Sequence, residues 1–127
     1  MPGKVVDASA LGSLIFGEPR AEEARALLRD SELYAPTLLP YELASIARKK
    51  IIQYPDQKDG LSQALELGLA LDIRWVDVDH LEVLRLALET GLTTYDASYL
   101  YVARILGMLL VTFDERLEKI ASSGLDQ

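Results

Sequence analysis

The sequence predicts a three-layer α/β/α domain around a central parallel sheet of four strands, with a fifth strand left open. Short apolar runs alternate with helical patterns along the whole chain, which is typical of repeated β-α-β units. With 127 residues, of which 50% are hydrophobic, the chain suits one domain over residues 1–127 with a substantial core. No repeat, low-complexity tract or linker divides it.

The first half of the chain contains predicted strands at residues 4–7 and 33–35. Between them, Pro19 is expected to begin a helix that ends near Asp30, with an inward face formed by Ala24, Leu27 and Leu28. Thr37 is expected to cap the next helix, whose inward residues recur at helical spacing: Leu39, Leu43, Ile46, Ala47 and Ile51. A turn at residues 54–56 leads to another helix with inward positions Leu61, Ala64, Leu65 and Leu69.

The second half contains predicted strands at residues 74–78 and 109–113. Asp79 and Glu82 form a capping-box pattern that opens a helix, and Gly91 is expected to end that helix. A further helix is predicted to begin near Asp96 and to end at Gly107. These elements continue the alternation that a parallel sheet requires.

Four acidic residues interrupt apolar local patterns: Asp7, Glu42, Asp96 and Asp114. Asp7 and Asp114 lie at the ends of predicted strands, whereas Glu42 and Asp96 lie early in predicted helices. Because the carboxyl ends of parallel strands meet at one edge of a sheet, we expect all four carboxylates at that edge. Carboxylates rarely stay on apolar faces without a cation, and oxygen ligands suit Mg²⁺ or Mn²⁺ better than Zn²⁺. Taken singly, Asp96 could instead complement a helix dipole and Asp114 could cap a helix.

Charge and composition limit the classes of function. The formal net charge of −7 and the pI of about 4.6 argue against nucleic-acid binding through a broad basic face. The chain has no cysteine, so it has neither disulfides nor thiolate metal ligands. No signal-peptide pattern follows the first residues, and no apolar run approaches the ~20 residues of a membrane span, so we expect a cytoplasmic protein without membrane association.

Several other polar and aromatic residues are assigned less specific roles. His80 and Asp77 are expected at the surface, away from the chemistry. Trp75 and the tyrosines are expected in the core and at its rim rather than as platforms for base stacking. Two interpretations stay open for the basic positions, which are either solvated helix ends or phosphate contacts: the run at residues 48–50, Arg104 and Arg116.

Four short motifs, in this order and at these intervals, resemble those of the PIN-domain nucleases, and most closely the VapC-type toxins of prokaryotic toxin–antitoxin pairs. The motifs are Val5-Val6-Asp7-Ala8-Ser9-Ala10-Leu11, Tyr41-Glu42-Leu43-Ala44, Thr94-Tyr95-Asp96-Ala97-Ser98-Tyr99 and Val111-Thr112-Phe113-Asp114. The resemblance covers almost the whole chain. It departs from the family after residue 121, where no apolar run remains to form the last edge strand that family members commonly have.

The resemblance implies a metal-dependent endoribonuclease, usually dimeric, that a small antitoxin protein neutralises. It implies that Asp7, Glu42, Asp96 and Asp114 are catalytic metal ligands for Mg²⁺ or Mn²⁺, with Ser9 and Thr112 as supporting hydroxyls. Surplus apolar positions on the helix pair over residues 38–71 also favour a homodimer: Ile51, Ile52, Leu67 and Leu71. We expect the antitoxin to lie along the cleft near Glu42.

Two alternatives belong to other classes. A receiver-like phosphoacceptor domain has a similar length and an acidic metal pocket, but it requires a lysine at the end of a late strand, and residues 109–114 contain none. The other alternative is a PIN-fold interaction module that has lost catalysis. The presence of all four carboxylates argues against this loss, which would need a blocked pocket.

Overall fold

A central four-stranded parallel sheet organises the computed structural model, which describes residues 2–124. The strands are β1 (Gly3–Val6), β2 (Glu32–Pro36), β3 (Ile73–Val76) and β4 (Leu109–Val111), hydrogen bonded in the order β3-β2-β1-β4. Seven helices flank the sheet: α1 (Ala8–Ile15), α2 (Ala21–Leu28), α3 (Leu39–Gln53), α4 (Lys58–Leu69), α5 (His80–Thr90), α6 (Thr94–Leu106) and α7 (Glu115–Gly124), with a 3₁₀ turn at Pro55–Gln57. The predicted α/β fold and the parallel sheet are therefore confirmed.

The central position of β1 brings distant parts of the chain to one edge of the sheet. Val5 and Val6 are completely buried, since β2 pairs with one side of β1 and β4 with the other. Val6 is in register with Val111, and the backbone N–H of Asp7 donates to the Val111 carbonyl at 3.2 Å. Asp7 and Thr112, which follow these partners, consequently lie side by side at the carboxyl edge.

Strands β3 and β4 are shorter at their carboxyl ends than the apolar runs predicted. β3 ends at Val76 rather than at Val78, and β4 ends at Val111 rather than at Phe113. At β4 the cause is visible, because the N–H of Phe113 donates to the Ser9 hydroxyl at 2.8 Å instead of continuing the ladder. The polar contacts of the site thus end the strand.

In the first half of the chain, the structure differs from the sequence predictions at α1, α2 and α3. Helix α1 was not predicted, and the helix expected from Pro19 begins at Ala21, with Ala24 and Leu28 buried but Leu27 exposed. Thr37 does not cap α3, because it lies in a turn and the helix begins after Leu38 without a side-chain cap. Pro40 occupies the first turn of α3 and has no backbone N–H, which lowers the number of donors that need a cap.

The helix boundaries in the second half follow the predicted signals. Asp79 caps α5 by accepting from the N–H groups of Leu81 and Glu82, and Gly91 ends that helix with φ of 76°. Glu82 does not complete the capping box, since its carboxylate binds Arg85 at 2.8 Å. Gly107 ends α6 with φ of 63°.

The core lies on both faces of the sheet, beneath the helices. Its largest fully buried side chains come from β1, α1, α3, α6 and α7: Tyr99, Leu11, Leu39, Leu43, Leu100, Leu117, Val5, Val6 and Val102. Within residues 2–124 the sheet has four strands, and the segment after residue 124 lies outside the described part of the chain. None of the described helices is long and apolar enough to cross a membrane.

Candidate active site

Asp7 is the most buried carboxylate at the carboxyl edge of the sheet, with 4% of its surface exposed. It connects β1 to α1 and caps that helix, because its Oδ1 accepts from the N–H of Ala10 at 3.0 Å. The Ser9 hydroxyl donates to the same oxygen at 2.7 Å, and the Thr112 hydroxyl donates to Oδ2. Three donors from two parts of the chain therefore hold this side chain in one orientation.

Ser9 and Thr112 also attach the segment after β4 to the site. The Ser9 hydroxyl accepts from the N–H of Phe113, and the Thr112 hydroxyl accepts from the N–H of Asp114 at 3.0 Å. The two hydroxyl oxygens are 3.3 Å apart. Both residues lie beside Asp7, and their hydroxyls position Asp7 and the backbone that leads to Asp114.

Asp114 lies at the start of α7 with an exposed side chain. Its Oδ1 accepts from the N–H of Leu117 at 2.8 Å, which is the geometry of a helix cap. Asp114 therefore caps α7, which is the alternative role that its sequence position allowed. This role does not remove Asp114 from the site, because its charge raises the pKa values of Asp7 and Asp96.

Glu42, in the first turn of α3, is half-buried and bound to a tyrosine that the sequence analysis placed only in the core. Tyr99 is almost completely buried, with 1% of its surface exposed. Its hydroxyl donates to Glu42 Oε1 at 2.6 Å. Burial and the bond to Glu42 raise the pKa of Tyr99 far above its ordinary value, so it remains a donor. The available signal was the spacing of Tyr99 from Asp96, which puts both on one face of α6.

Burial and neighbouring charges raise the pKa values of three of the site carboxyls, those of Asp7, Glu42 and Asp96. Burial is the largest cause of the raised pKa of Asp7, Glu42 and Asp96. Asp96 and Asp7 raise the pKa of Glu42 further, and Asp114 and Asp7 raise that of Asp96, whereas Arg116 lowers it. Four carboxylates from separate segments therefore share one electrostatic environment.

The donor chemistry of this edge suits a hard divalent ion, but the side chains do not form a closed cage. Carboxylate and hydroxyl oxygens are the ligands that Mg²⁺ and Mn²⁺ prefer. Within residues 2–124, no group of three or more His, Asp or Glu side chains is arranged to hold a metal ion. Protein donors bind Asp7, Glu42 and Asp114, and like charges favour separation, so a bound ion requires local rearrangement of these side chains.

Two cavities adjoin the carboxylates on the side of α3. One of about 600 Å³ is lined by Ser9, Arg20, Lys49 and Lys50 among others. The second, of about 550 Å³, is lined by Tyr41, Glu42, Lys49 and Tyr95 among others. Part of the predicted basic run thus borders the site, whereas His80 and Asp77 are exposed, as predicted.

A four-stranded parallel sheet in the order β3-β2-β1-β4, with four acidic side chains at its carboxyl edge, places the protein among α/β domains with an oxygen-rich acidic centre. The chain belongs to the PIN-domain family, whose model matches residues 4–123. Membership of this family rules out the receiver-like alternative. The resemblance to VapC-type proteins is confirmed by the relatives described next.

The relatives include curated proteins and solved structures. The chain is 35% identical to Ribonuclease VapC3 of Pyrobaculum aerophilum over 89% of this chain and 90% of that protein. A shorter match, 53% identical over 35% of this chain and 34% of the relative, is to Exonuclease VapC9 of the same organism. The crystal structure of PAE2754 from Pyrobaculum aerophilum superimposes with a TM-score of 0.75 and 30% identity over 99% of this chain and 91% of that one. Mycobacterium tuberculosis VapC20, described as a toxin that cleaves the sarcin-ricin loop, shares the fold with a TM-score of 0.69 and 17% identity over 93% and 95% of the two chains.

Proposed function

We propose that the chain, as a single domain over residues 1–127, is a Mg²⁺- or Mn²⁺-dependent endoribonuclease and the toxin of a toxin–antitoxin pair. The observation that carries this proposal is the placement of four acidic residues at the carboxyl edge of the sheet: Asp7 after β1, Glu42 and Asp96 in the first turns of α3 and α6, and Asp114 after β4. Membership of the PIN family and the likeness to a protein named as a ribonuclease support the choice of RNA as substrate.

In the proposed mechanism, the four carboxylates hold the metal and the remaining residues keep them in place. When bound, such an ion supplies Lewis acidity that activates water and offsets charge on the phosphate. Ser9 and Thr112 orient Asp7, and Tyr99 orients Glu42. Arg116, whose charge lowers the pKa of Asp96, would offset part of the negative charge of a bound phosphate.

A second candidate function is a PIN-fold interaction module without catalysis. The observation in its favour is that no three metal-ligating side chains within residues 2–124 are arranged as a ready cage. The two candidates differ in one property, since only the nuclease requires a metal ion to be bound by these carboxylates.

The nuclease is tested most sharply with a covalently closed circular RNA. An endonuclease opens such a circle, whereas an exonuclease needs a free end, a distinction that matters because one relative is named an exonuclease. We expect the purified protein to open the circle in Mg²⁺ or Mn²⁺ and to be inactive in a chelator, with 5′-phosphate ends on the products.

Matched variants identify the residues responsible. Asp96→Asn should abolish cleavage, and Asp77→Asn, at an exposed position that lines neither cavity, should leave the rate unchanged. Cleavage that persists in chelator, or in Asp96→Asn, contradicts the metal-dependent mechanism. Degradation of linear RNA but not of the circle would make the protein an exonuclease instead.

The proposed toxin role is tested through a partner protein. A gene for a small antitoxin should lie next to the gene for this chain, and co-expression of its product should relieve growth arrest caused by this chain. We expect a basic side chain of the antitoxin to enter the carboxylate site, where it competes with the metal by charge. No growth arrest on expression of the active protein would contradict the toxin assignment and leave the nuclease assignment intact.

A further inference from the structure

We propose that Tyr41 and Tyr95 are a stacking platform for unpaired bases and that Lys49 binds the adjoining phosphate. The substrate segment is then a single strand that lies across the carboxylates. This inference rests on the proposed nuclease function and names residues that select the form of the substrate. It also departs from the expectation that the tyrosines lie in the core and at its rim and are not platforms for base stacking.

Tyr41 and Tyr95 have exposed rings that contribute little to the core. Tyr41 is 76% exposed in the first turn of α3, and Tyr95 is 60% exposed at the start of α6. Within residues 2–124 neither hydroxyl is hydrogen bonded, whereas Tyr34 and Tyr99 each donate to a glutamate. Single exposed aromatic residues are common, but these two line the same cavity of about 550 Å³ beside Glu42.

Lys49 is the basic residue that borders both cavities of the site. It lines the cavity of Tyr41 and Tyr95 as well as the neighbouring cavity of Ser9. Lys50 pairs with Glu18 and Arg20 pairs with Glu23, but no carboxylate of residues 2–124 lies within salt-bridge distance of Lys49. In a chain of net charge −7, an available cation next to two exposed aromatic rings favours a polyanion with planar groups.

These features match single-stranded RNA better than a duplex. Every base has a π face that can stack on an aromatic ring, and a backbone phosphate between two bases is within reach of one lysine. A duplex keeps its bases stacked on one another and cannot offer these faces. The platform therefore favours unpaired strands with little preference for base identity.

The test measures RNA binding separately from RNA cleavage. In the Asp96→Asn background, a short oligoribonucleotide with a fluorescent base analogue is titrated with protein variants. Tyr41→Leu and Tyr95→Leu keep apolar bulk but remove the ring, and each should raise Kd about tenfold. Tyr41→Phe and Tyr95→Phe should stay within about twofold of the parent, because stacking needs the ring and not the hydroxyl.

Two controls are available in the same chain. Tyr54→Leu changes an exposed tyrosine that lines neither cavity and should leave Kd unchanged. Lys49→Gln should reduce the slope of log Kd against log salt by about 0.7, as expected for one lost phosphate contact to a single strand, and Lys58→Gln should not.

The outcomes for the platform and for the nuclease are distinguishable. Leucine variants that bind the strand as tightly as the parent, or a duplex that binds as tightly as the strand, overturn the platform even if the parent cleaves RNA. If the leucine variants bind weakly, melt at the parent's temperature and the parent cleaves no RNA, the platform stands and the nuclease proposal fails.

Discussion

Asp7 and Asp114 each have two roles in this structure. Each caps a helix through its Oδ1 atom, and each carries a charge that acts on the other site carboxyls. A substitution at either position therefore changes the stability of a helix as well as the site. Asparagine is the informative replacement, because it caps helices as well as aspartate does while it removes the charge.

Comparison of Asp7→Asn with Asp7→Ala separates the two roles. In Asp7→Asn the amide oxygen can still accept from Ala10, and the Thr112 hydroxyl can turn toward Ser9, whose oxygen is 3.3 Å away. We expect both variants to lose RNA cleavage, the Asn variant to match or exceed the parent's melting temperature without metal, and the Ala variant to lose about 1–2 kcal/mol of stability. Thermal melting in chelator checks this, and an Asn variant as unstable as the Ala variant would show that the charge of Asp7 costs the fold no stability.

The raised pKa values at the site predict how stability depends on pH. Asp7, Asp96 and Glu42 have ordinary values of 3.8, 3.8 and 4.5, and burial is the largest cause of each increase. A carboxyl with a raised pKa in the folded state stabilises the fold fully below its ordinary pKa, and this contribution is lost as pH rises through the raised value.

Without metal, the contribution of these groups to the free energy of unfolding should therefore fall as pH rises from about 4 toward neutrality. Glu23 acts in the opposite sense because Arg20 lowers its pKa, so the comparison is made between variants. Urea unfolding in chelator at several pH values should give a shallower fall for Asp7→Asn than for the parent. Identical pH profiles for the two proteins would mean that the pKa of Asp7 is not raised in the folded protein.

Part of the site could be predicted from single residues and part could not. The four carboxylates stood out because charges on apolar patterns are rare, and Ser9 and Thr112 followed from the motifs that contain them. Tyr99 was missed as a partner of Glu42 because a buried tyrosine at helical spacing reads as core, and its hydroxyl contact spans 57 residues of sequence. The exposure of Tyr41 and Tyr95 depends on tertiary packing, which local sequence does not encode.

At the scale of elements, the sequence predicted those boundaries that have strong local signals. Asp79, Gly91 and Gly107 were placed correctly, because an N-cap or a left-handed glycine depends on a few adjacent residues. Helix α1 was missed because it has only eight residues, and three of them, Ser9, Gly12 and Ser13, are weak helix formers. The available signal was Asp7 itself, which was interpreted as the end of a strand and not as the cap of the next helix.

Replacement by alanine is expected to have opposite effects on stability at two glycines of α4, Gly60 and Gly68. A Cβ at Gly60 would meet no atom within 4 Å, whereas a Cβ at Gly68 would lie 2.6 Å from Cδ1 and 3.1 Å from Cγ2 of Ile15 in α1. Gly60→Ala should stabilise the protein by about 0.5–1 kcal/mol, because alanine favours helix. Gly68→Ala should destabilise it by about 1 kcal/mol, since the clash outweighs the same gain. Urea unfolding measures both, and equal stabilisation by the two variants would show that α4 does not pack closely on α1.

At the scale of the whole molecule, two exposed apolar faces are candidates for an interface. Ile52 and Leu67 are exposed on the α3–α4 pair, and Leu71 is exposed just after α4, as the predicted homodimer requires. The second face, which no sequence pattern predicted, lies on α5, where Leu81, Leu84 and Leu88 are exposed at helical spacing. Each face has three exposed apolar side chains, whereas single exposed apolar residues are common on protein surfaces.

Paired charge substitutions distinguish the two faces. Ile52→Lys with Leu67→Lys should convert the predicted homodimer into a monomer, because a lysine on each side of a twofold interface meets apolar surface and like charge. Leu84→Lys with Leu88→Lys should leave the dimer intact. Sedimentation equilibrium gives the mass of each variant. Dissociation by the α5 pair alone would place the interface on α5, and a monomeric parent would exclude the homodimer.

The central claim is that Asp7, Glu42, Asp96 and Asp114 together form one metal site, although their side chains are not closed around an ion in this structure. Calorimetric titration of the metal-free protein with Mn²⁺ tests this claim most directly. We predict saturable binding that Asp7→Asn, Glu42→Gln, Asp96→Asn and Asp114→Asn each weaken about tenfold or more, and that Asp77→Asn leaves unchanged. Absence of Mn²⁺ binding by the parent, or binding that none of the four variants weakens, would contradict the claim.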